Sequence, residues 1–318
     1  RSGYLAQGAS RTVLLGYETR FSGLEARLGD PRTVALDASR AISNTVIMMT
    51  TEAEGGRVRA ERIGDTVRIC LNDPARLNPF TADVSIALDS LVAQAVDTGA
   101  DAIIFWGEGR SFSSGADMEG FRTTISELQS GEGFPKFYRS ERSLIRLAQN
   151  LKLPHVTSIA AVHGWTVGQG FELAMACDYI VAAEGTKFWM PETSVGWNAG
   201  MGTAQTLVKT VGTGYAKRIL LLNEKIDARL AESLGIVTRV APAGKQLEVA
   251  LELLEVVRKN APMAQAFQKK LIDMATAMSL DDSRELEVIT GHWLAYTSDV
   301  LEAATAFTES RSAIFKGM

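Results

Sequence analysis

Short, almost wholly apolar segments alternate with helical periods between residues 66 and 183, and this alternation restricts the fold more than any other feature of the chain. Thr66–Leu71 reads as a strand, with a turn at Asn72-Asp73-Pro74. Val84, Leu88, Leu91, Val92 and Ala95 recur at helical spacing, Gly99 ends that run, and Ala102–Trp106 follows as an apolar strand. The unit repeats: Leu144, Ile145, Leu147 and Ala148 mark a helix that stops before Pro154, and Val156–Val162 reads as a buried strand. A short helix through Leu173 and Met175 and the strand Tyr179–Ala183 complete the pattern, which is that of an α/β core in layers. After about Ala241 the strands cease, and helical patterns with Leu251, Leu254, Val257, Leu271, Ile272 and Met274 continue to the end. Residues 1–60 carry no sustained period. The expected organisation is therefore an N-terminal extension of unassigned role over 1–60, a core over 61–250 and a helical C-terminal region over 251–318.

Charge and cysteine usage narrow the function classes. The chain carries 33 basic and 37 acidic residues, a net charge of −4, which gives no field for holding nucleic acid or an anionic membrane. No apolar run reaches the roughly 18 residues of a membrane-spanning helix. Cys70 and Cys177 lie far apart in apolar stretches and read as buried reduced thiols, which points to a cytoplasmic protein. His155, His163 and His292 stand without clustered ligands, so no metal is expected.

Three glycine-bearing turns stand at strand ends: Gly107-Glu108-Gly109 leading to Ser113-Ser114-Gly115-Ala116-Asp117, then Gly164 to Gly170, and Gly196 to Gly202. None matches a phosphate-binding loop, and Gly168-Gln169-Gly170 lacks the third glycine of a dinucleotide fingerprint. The second turn opens directly into the apolar helix Gly170-Phe171-Glu172-Leu173-Ala174-Met175, so free backbone N–H groups face the strand end. Such donors stabilise a developing oxyanion, and losing one typically raises a barrier by roughly 2.7–4 kcal/mol. The alternative is a tight turn that lets a helix pack on a strand. Glu172 and Glu192 both lie among apolar residues, which raises carboxylate pKa values and suits acid–base work next to a carbonyl. Each also has a structural alternative, Glu172 as a charge at a helix N-terminus and Glu192 as a loop residue. Trp165, Phe188, Trp189 and Trp197 are candidates for an acyl pocket or for core packing, and Asp117 for a helix N-cap.

In this order, Leu71–Asn78, Gly107–Asp117 (GEGRSFSSGAD), Ala160–Asp178 (AAVHGWTVGQGFELAMACD), Lys187–Gly196 (KFWMPETSVG), Asn260–Lys269 and Ser298–Gly317 resemble the crotonase (enoyl-CoA hydratase/isomerase) superfamily over roughly residues 61–317. The resemblance implies a spiral of ββα turns with a helical C-terminal trimerisation region, and a homotrimer or hexamer. It implies an oxyanion hole formed by the amides of Ala116 and Gln169, the latter in place of the usual glycine. It also implies that Glu172 and Glu192 hydrate or dehydrate an α,β-unsaturated acyl thioester. The expected partner is an acyl-CoA or acyl-carrier-protein thioester, with CoA or phosphopantetheine as part of the substrate and no separate cofactor. The carrier path would follow Ala75, Arg76 and Leu77 and then Ser114, Asp117 and Met118. His163, Trp165 and Pro191 join the substrate-binding candidates, and Lys269 matches a lysine that in relatives reaches CoA phosphates of a neighbouring subunit.

Other chemistry of the superfamily stays open. Gln169 between glycines and the triplet Met190-Pro191-Glu192 also resemble carboxymethylproline synthases, which form a C–C bond but have no glutamate at the position of Glu172. Isomerisation through the same enolate, C–C cleavage involving His163, and a catalytically silent scaffold of the same fold are the remaining alternatives.

Overall fold

The computed structural model describes residues 46–49 and 54–318. The large sheet has seven strands in the order β1 (Val46–Met49), β2 (Val58–Ile63), β3 (Thr66–Leu71), β4 (Ala102–Gly107), β5 (Thr157–Val162), β7 (Tyr179–Ala183) and β10 (Arg239–Ala241). A smaller sheet joins β6 (Trp165–Val167), β8 (Lys187–Trp189) and β9 (Ile226–Asp227). β1, β2 and β3 pair antiparallel, and β3, β4, β5, β7 and β10 run parallel, so the parallel strands end on one edge. Loops beyond that edge are where open α/β sheets bind ligands.

Ten α-helices accompany these strands among the described residues. α1 (Ala82–Asp97) connects β3 to β4; α2 (Met118–Gln129) and α3 (Phe134–Leu151) connect β4 to β5; α4 (Gln169–Ala176) follows β6; and α5 (Thr203–Leu221) follows β8. Thr81 caps α1 by accepting a hydrogen bond from the Val84 amide. α6 (Ala228–Ser233) leads to β10, and α7 (Gln246–Arg258), α8 (Pro262–Met274), α9 (Leu280–Leu294) and α10 (Ser298–Thr308) end the chain. Strand alternation divides the core. Ile69, Leu71, Ile103, Phe105, Ala160 and Val162 pack under α1, α3 and α4, while Ile104, Ile159, Ala161 and Val181 pack against Leu253 and Leu254 of α7. Cys70 and Cys177 are buried and free.

The expected boundary at residue 60 falls inside β2. Residues 46–49 and 58–60 are sheet rather than extension, because Val58–Ile63 pairs along its length with β3 and β1 pairs in turn with β2. Most of β2 is only half-buried, so its sequence lacks the apolar run that marks β3 and β4. The rest of the expected extension, residues 1–45 and 50–53, lies outside the described residues. No helix among the described residues is long and apolar enough to cross a membrane.

Candidate active site

The loop leaving β4 is braced from inside. Asn78, buried, donates from Nδ2 to the carbonyls of Glu108 and Ser111, both at 2.9 Å, and accepts from the Asp73 amide at 2.7 Å. Ser113 Oγ donates to Asn78 O at 2.8 Å and accepts from the Gly115 amide at 3.1 Å. Beyond it, the Phe80 amide donates to Gly115 O and the Asp117 amide to Phe80 O, each at 2.8 Å. In that parallel bridge Ala116 turns its own N–H the other way.

The turn from β6 into α4 completes the pair of donors. Gly168 donates to Trp189 O at 2.9 Å, and the first bond of α4 runs from Glu172 N to Gly168 O at 2.9 Å. Gln169 is therefore among the N-terminal residues whose amides have no intrahelical acceptor. Among the described residues neither the Ala116 nor the Gln169 amide meets an acceptor. The two turns touch: a Cβ built on Gly168 would lie 3.7 Å from Gly115 Cα, one on Gly115 would lie 3.0 Å from Val167 O, and one on Gly170 only 2.5 Å from Ser113 Cβ. Only glycine fits at Gly170.

Glu172 is 3% exposed, and its Oε1 accepts from the Gly200 amide at 2.7 Å. Burial pushes its pKa up to about 7; the Gly200 bond opposes this, and the charges of Glu192 and Glu141 reinforce it. Glu192 opens a 3-10 turn, Glu192–Val195, and burial raises its pKa as well. Its Oε2 is buried without a hydrogen-bond partner, and its Oε1 lies 2.8 Å from where a Gly168 Cβ would stand. Both carboxyls, Ala116 and Gln169 line one cavity of about 690 Å³. Two carboxyls that tend to hold protons thus face two free N–H donors. This suits removing a proton from one atom and delivering one to another while a carbonyl carries negative charge.

Of the other expected residues, Ser114, Asp117, Met118 and Pro191 line this cavity. Asp117 stands at the N-cap position of α2 without a capping side-chain bond, 3.6 Å from Arg76. Arg76 and Leu77 sit beside the cavity wall: Ser114 donates its amide to Leu77 O at 2.8 Å and its hydroxyl to Arg76 O at 3.3 Å. Ala75 is exposed in the adjoining turn. Trp189 and Trp197 line the cavity, and Trp197 packs edge-on to Phe121 and Phe137.

Four expectations do not fit the cavity wall. His163 points its Nε2 at Gly109 O, 2.9 Å away, and bonds the loop instead. Trp165 stands on the surface against Lys225, and Phe188 is core. Lys269 on α8 gives its ammonium to Leu151 O (3.0 Å), Val156 O (2.6 Å) and Asp178 Oδ2 (2.7 Å), which fills all three donors and leaves none for a phosphate. Conversely, the wall formed by α2 and α3, with Phe121, Thr124, Phe137, Ser140, Glu141 and Leu144, was not expected. Its signal was a helical stripe on α3 whose apolar members read as core.

A sequence profile for the family described as "Enoyl-CoA hydratase/isomerase" matches residues 63–318. The chain belongs to the enoyl-CoA hydratase/isomerase family. It is 36% identical over 252 residues to a Thermus thermophilus protein provisionally named an enoyl-CoA hydratase, covering 78% of this chain and 96% of the relative. It is 30% identical over 250 residues to the 2,3-dehydroadipyl-CoA hydratase of Escherichia coli, covering 78% and 94%. The crystal structure of an enoyl-CoA hydratase from Polaromonas sp. JS666 superposes with a TM-score of 0.73 at 26% identity, covering 82% of this chain and all of that one. The ββα turns formed by β5, β6 and α4 and by β7, β8 and α5 are those of the crotonase fold of this family.

Proposed function

We propose that this protein is a lyase that adds water across the double bond of a 2-enoyl-CoA, or removes it. The observation that carries this is the shared cavity: two carboxyls with raised pKa values face two backbone amides that have no acceptor of their own. The thioester oxygen accepts from Ala116 and Gln169, so charge developing as the nucleophile reaches Cβ rests on those donors. Water sits between Glu172 and Glu192. The ionised carboxyl takes its proton, and the protonated one delivers a proton to Cα. The Gly200 amide keeps Glu172 oriented for this, and the unpartnered Glu192 Oε2 has its hydrogen-bonding capacity left for the water or substrate.

CoA or phosphopantetheine enters as part of the substrate, past Ser114 and Met118, and no separate cofactor takes part. Retention of both carboxyls favours hydration over isomerisation, for which one suffices. Large apolar side chains left exposed on α9 and α10 support a homotrimer or hexamer, and the buried free thiols support a cytoplasmic setting. Glu172→Gln and Glu192→Gln should each lower crotonyl-CoA hydration by about 10²–10⁴-fold with the fold intact. Wild-type rates in both variants, or product without oxygen from labelled water, would refute hydration.

A further inference from the structure

The cavity wall contributed by α3 is not the hydrocarbon surface that a plain fatty acyl chain calls for. Phe137, Leu144 and Ile145 provide apolar area, but Ser140 and Glu141 stand between them on the same helical face. Glu141 is half-buried, and among the described residues its carboxylate accepts no hydrogen bond and forms no ion pair. The Ser140 hydroxyl on the same wall likewise has no partner among the described residues, whereas Thr124 on α2 already donates to Gly120 O at 3.0 Å. A methylene chain laid over this wall would strip water from a carboxylate and a hydroxyl and return no hydrogen bond, which is unfavourable for both groups and more so for the charged one.

The missing partner is defined by what the two groups can do. An ionised carboxylate only accepts, whereas a serine hydroxyl both donates and accepts. An ammonium on the substrate would satisfy Glu141 but could accept nothing from Ser140, and a carboxylate would be repelled by Glu141. A hydroxyl donates to Glu141 and accepts from Ser140. We propose that the acyl pocket selects 2-enoyl thioesters whose chain bears a hydroxyl beyond Cβ, held by Glu141 and Ser140. This specificity rests on the hydratase activity proposed above. Glu141 and Glu172 line the same cavity, so the hydroxyl would be held within the space where the reaction takes place.

Saturated thioesters separate binding from turnover, because they cannot be hydrated. Calorimetric titration of the full chain with hexanoyl-CoA, with its 4-, 5- and 6-hydroxy derivatives and with adipyl-CoA should show one hydroxy derivative binding about tenfold tighter than hexanoyl-CoA. Adipyl-CoA should bind more weakly than either. Glu141→Leu should bring the hydroxyl preference close to one, and the isosteric Glu141→Gln and Ser140→Ala should each lower it in part. The proposal is overturned if no hydroxy derivative outbinds hexanoyl-CoA, if adipyl-CoA binds tightest, or if the preference survives in folded variants at both positions. Hydration of hex-2-enoyl-CoA by a protein without the preference would sink the specificity and leave the activity standing. The preference in a protein that hydrates nothing would do the reverse.

Discussion

A methyl group on Gly168 would come within 2.8 Å of Glu192 Oε1, at a residue held at φ +48° and ψ −123°. That backbone region is open to glycine and strained for any other residue, so Gly168→Ala carries a conformational cost and displaces a carboxyl at once. The expected result is a stability loss of about 1–3 kcal/mol in denaturant titration, together with a fall in kcat of about 10² or more. An unchanged kcat would mean that Glu192 does not need its present position. Glu172 permits a prediction against pH. The unfolded chain ionises it near the ordinary 4.5 and the folded chain near 7, so the folded state holds an extra proton between those values. Stability therefore falls as pH rises from 4.5, and above 7 the buried charge costs about 3 kcal/mol. Glu172→Gln, which keeps an acceptor for the Gly200 amide, should be the more stable protein at pH 8, with the margin narrowing toward pH 5. A margin independent of pH would contradict the burial argument. Glu172 and Glu192 were legible as carboxylates among apolar residues, after a glycine turn and after Pro191, and Ala116 and Gln169 through the resemblance alone. Glu141 was not, because nothing local to a helix distinguishes a carboxylate facing a cavity from one facing water.

Among the elements, β3 and β7 have the limits expected of them, Thr66–Leu71 and Tyr179–Ala183, because β7 is an unbroken apolar run and β3 alternates around a half-buried Arg68 between otherwise buried residues. The short strands β6, β8 and β9 leave no such trace. Two or three residues have no period, and β6 finds its partner 22 positions later, Trp165 opposite Lys187, so tertiary pairing alone defines it. The same limit applies to Lys269, whose match to a CoA-binding lysine came from its place in a motif, while its contacts come from the end of α3, from Val156 just before β5 and from Asp178 just before β7. Its ammonium ties α8 to the C-terminal end of α3 through Leu151 O and to Asp178, which itself accepts from the Ser158 amide and hydroxyl at 2.9 Å. Lys269→Ala would leave a largely buried Asp178 without its cation. The expected loss is about 2–3 kcal/mol of stability, read from the denaturation midpoint. The KM for crotonyl-CoA should change less than twofold, about the scatter of such measurements. A large rise in KM with stability unchanged would restore Lys269 to the substrate path.

On the scale of the whole molecule, the last two helices do not look like the outside of a monomer. Trp293 is 67% exposed, Tyr296 90% and Phe307 85%, with Val288, Ile289 and Leu301 also exposed nearby in the chain. Each large aromatic fully buried rather than wetted contributes roughly 1.5–3 kcal/mol, so leaving three of them in water forgoes a stabilisation comparable to a sizeable part of a domain's net stability. The periodicity of α9 and α10 alone cannot reveal this, because an apolar stripe reads the same whether it meets its own core or a second copy. If copies of this chain cover these residues, Trp293→Asp combined with Phe307→Asp puts charges into an apolar contact and should shift the sedimentation coefficient from trimer or hexamer to monomer. The same double variant as a monomer should keep Glu172, Glu192 and both amides in place, since the cavity is lined by Arg57 and by residues between Phe80 and Met201, and by none from α9 or α10. A wild-type protein that sediments as a monomer at micromolar concentration would show that these side chains face solvent or another partner instead.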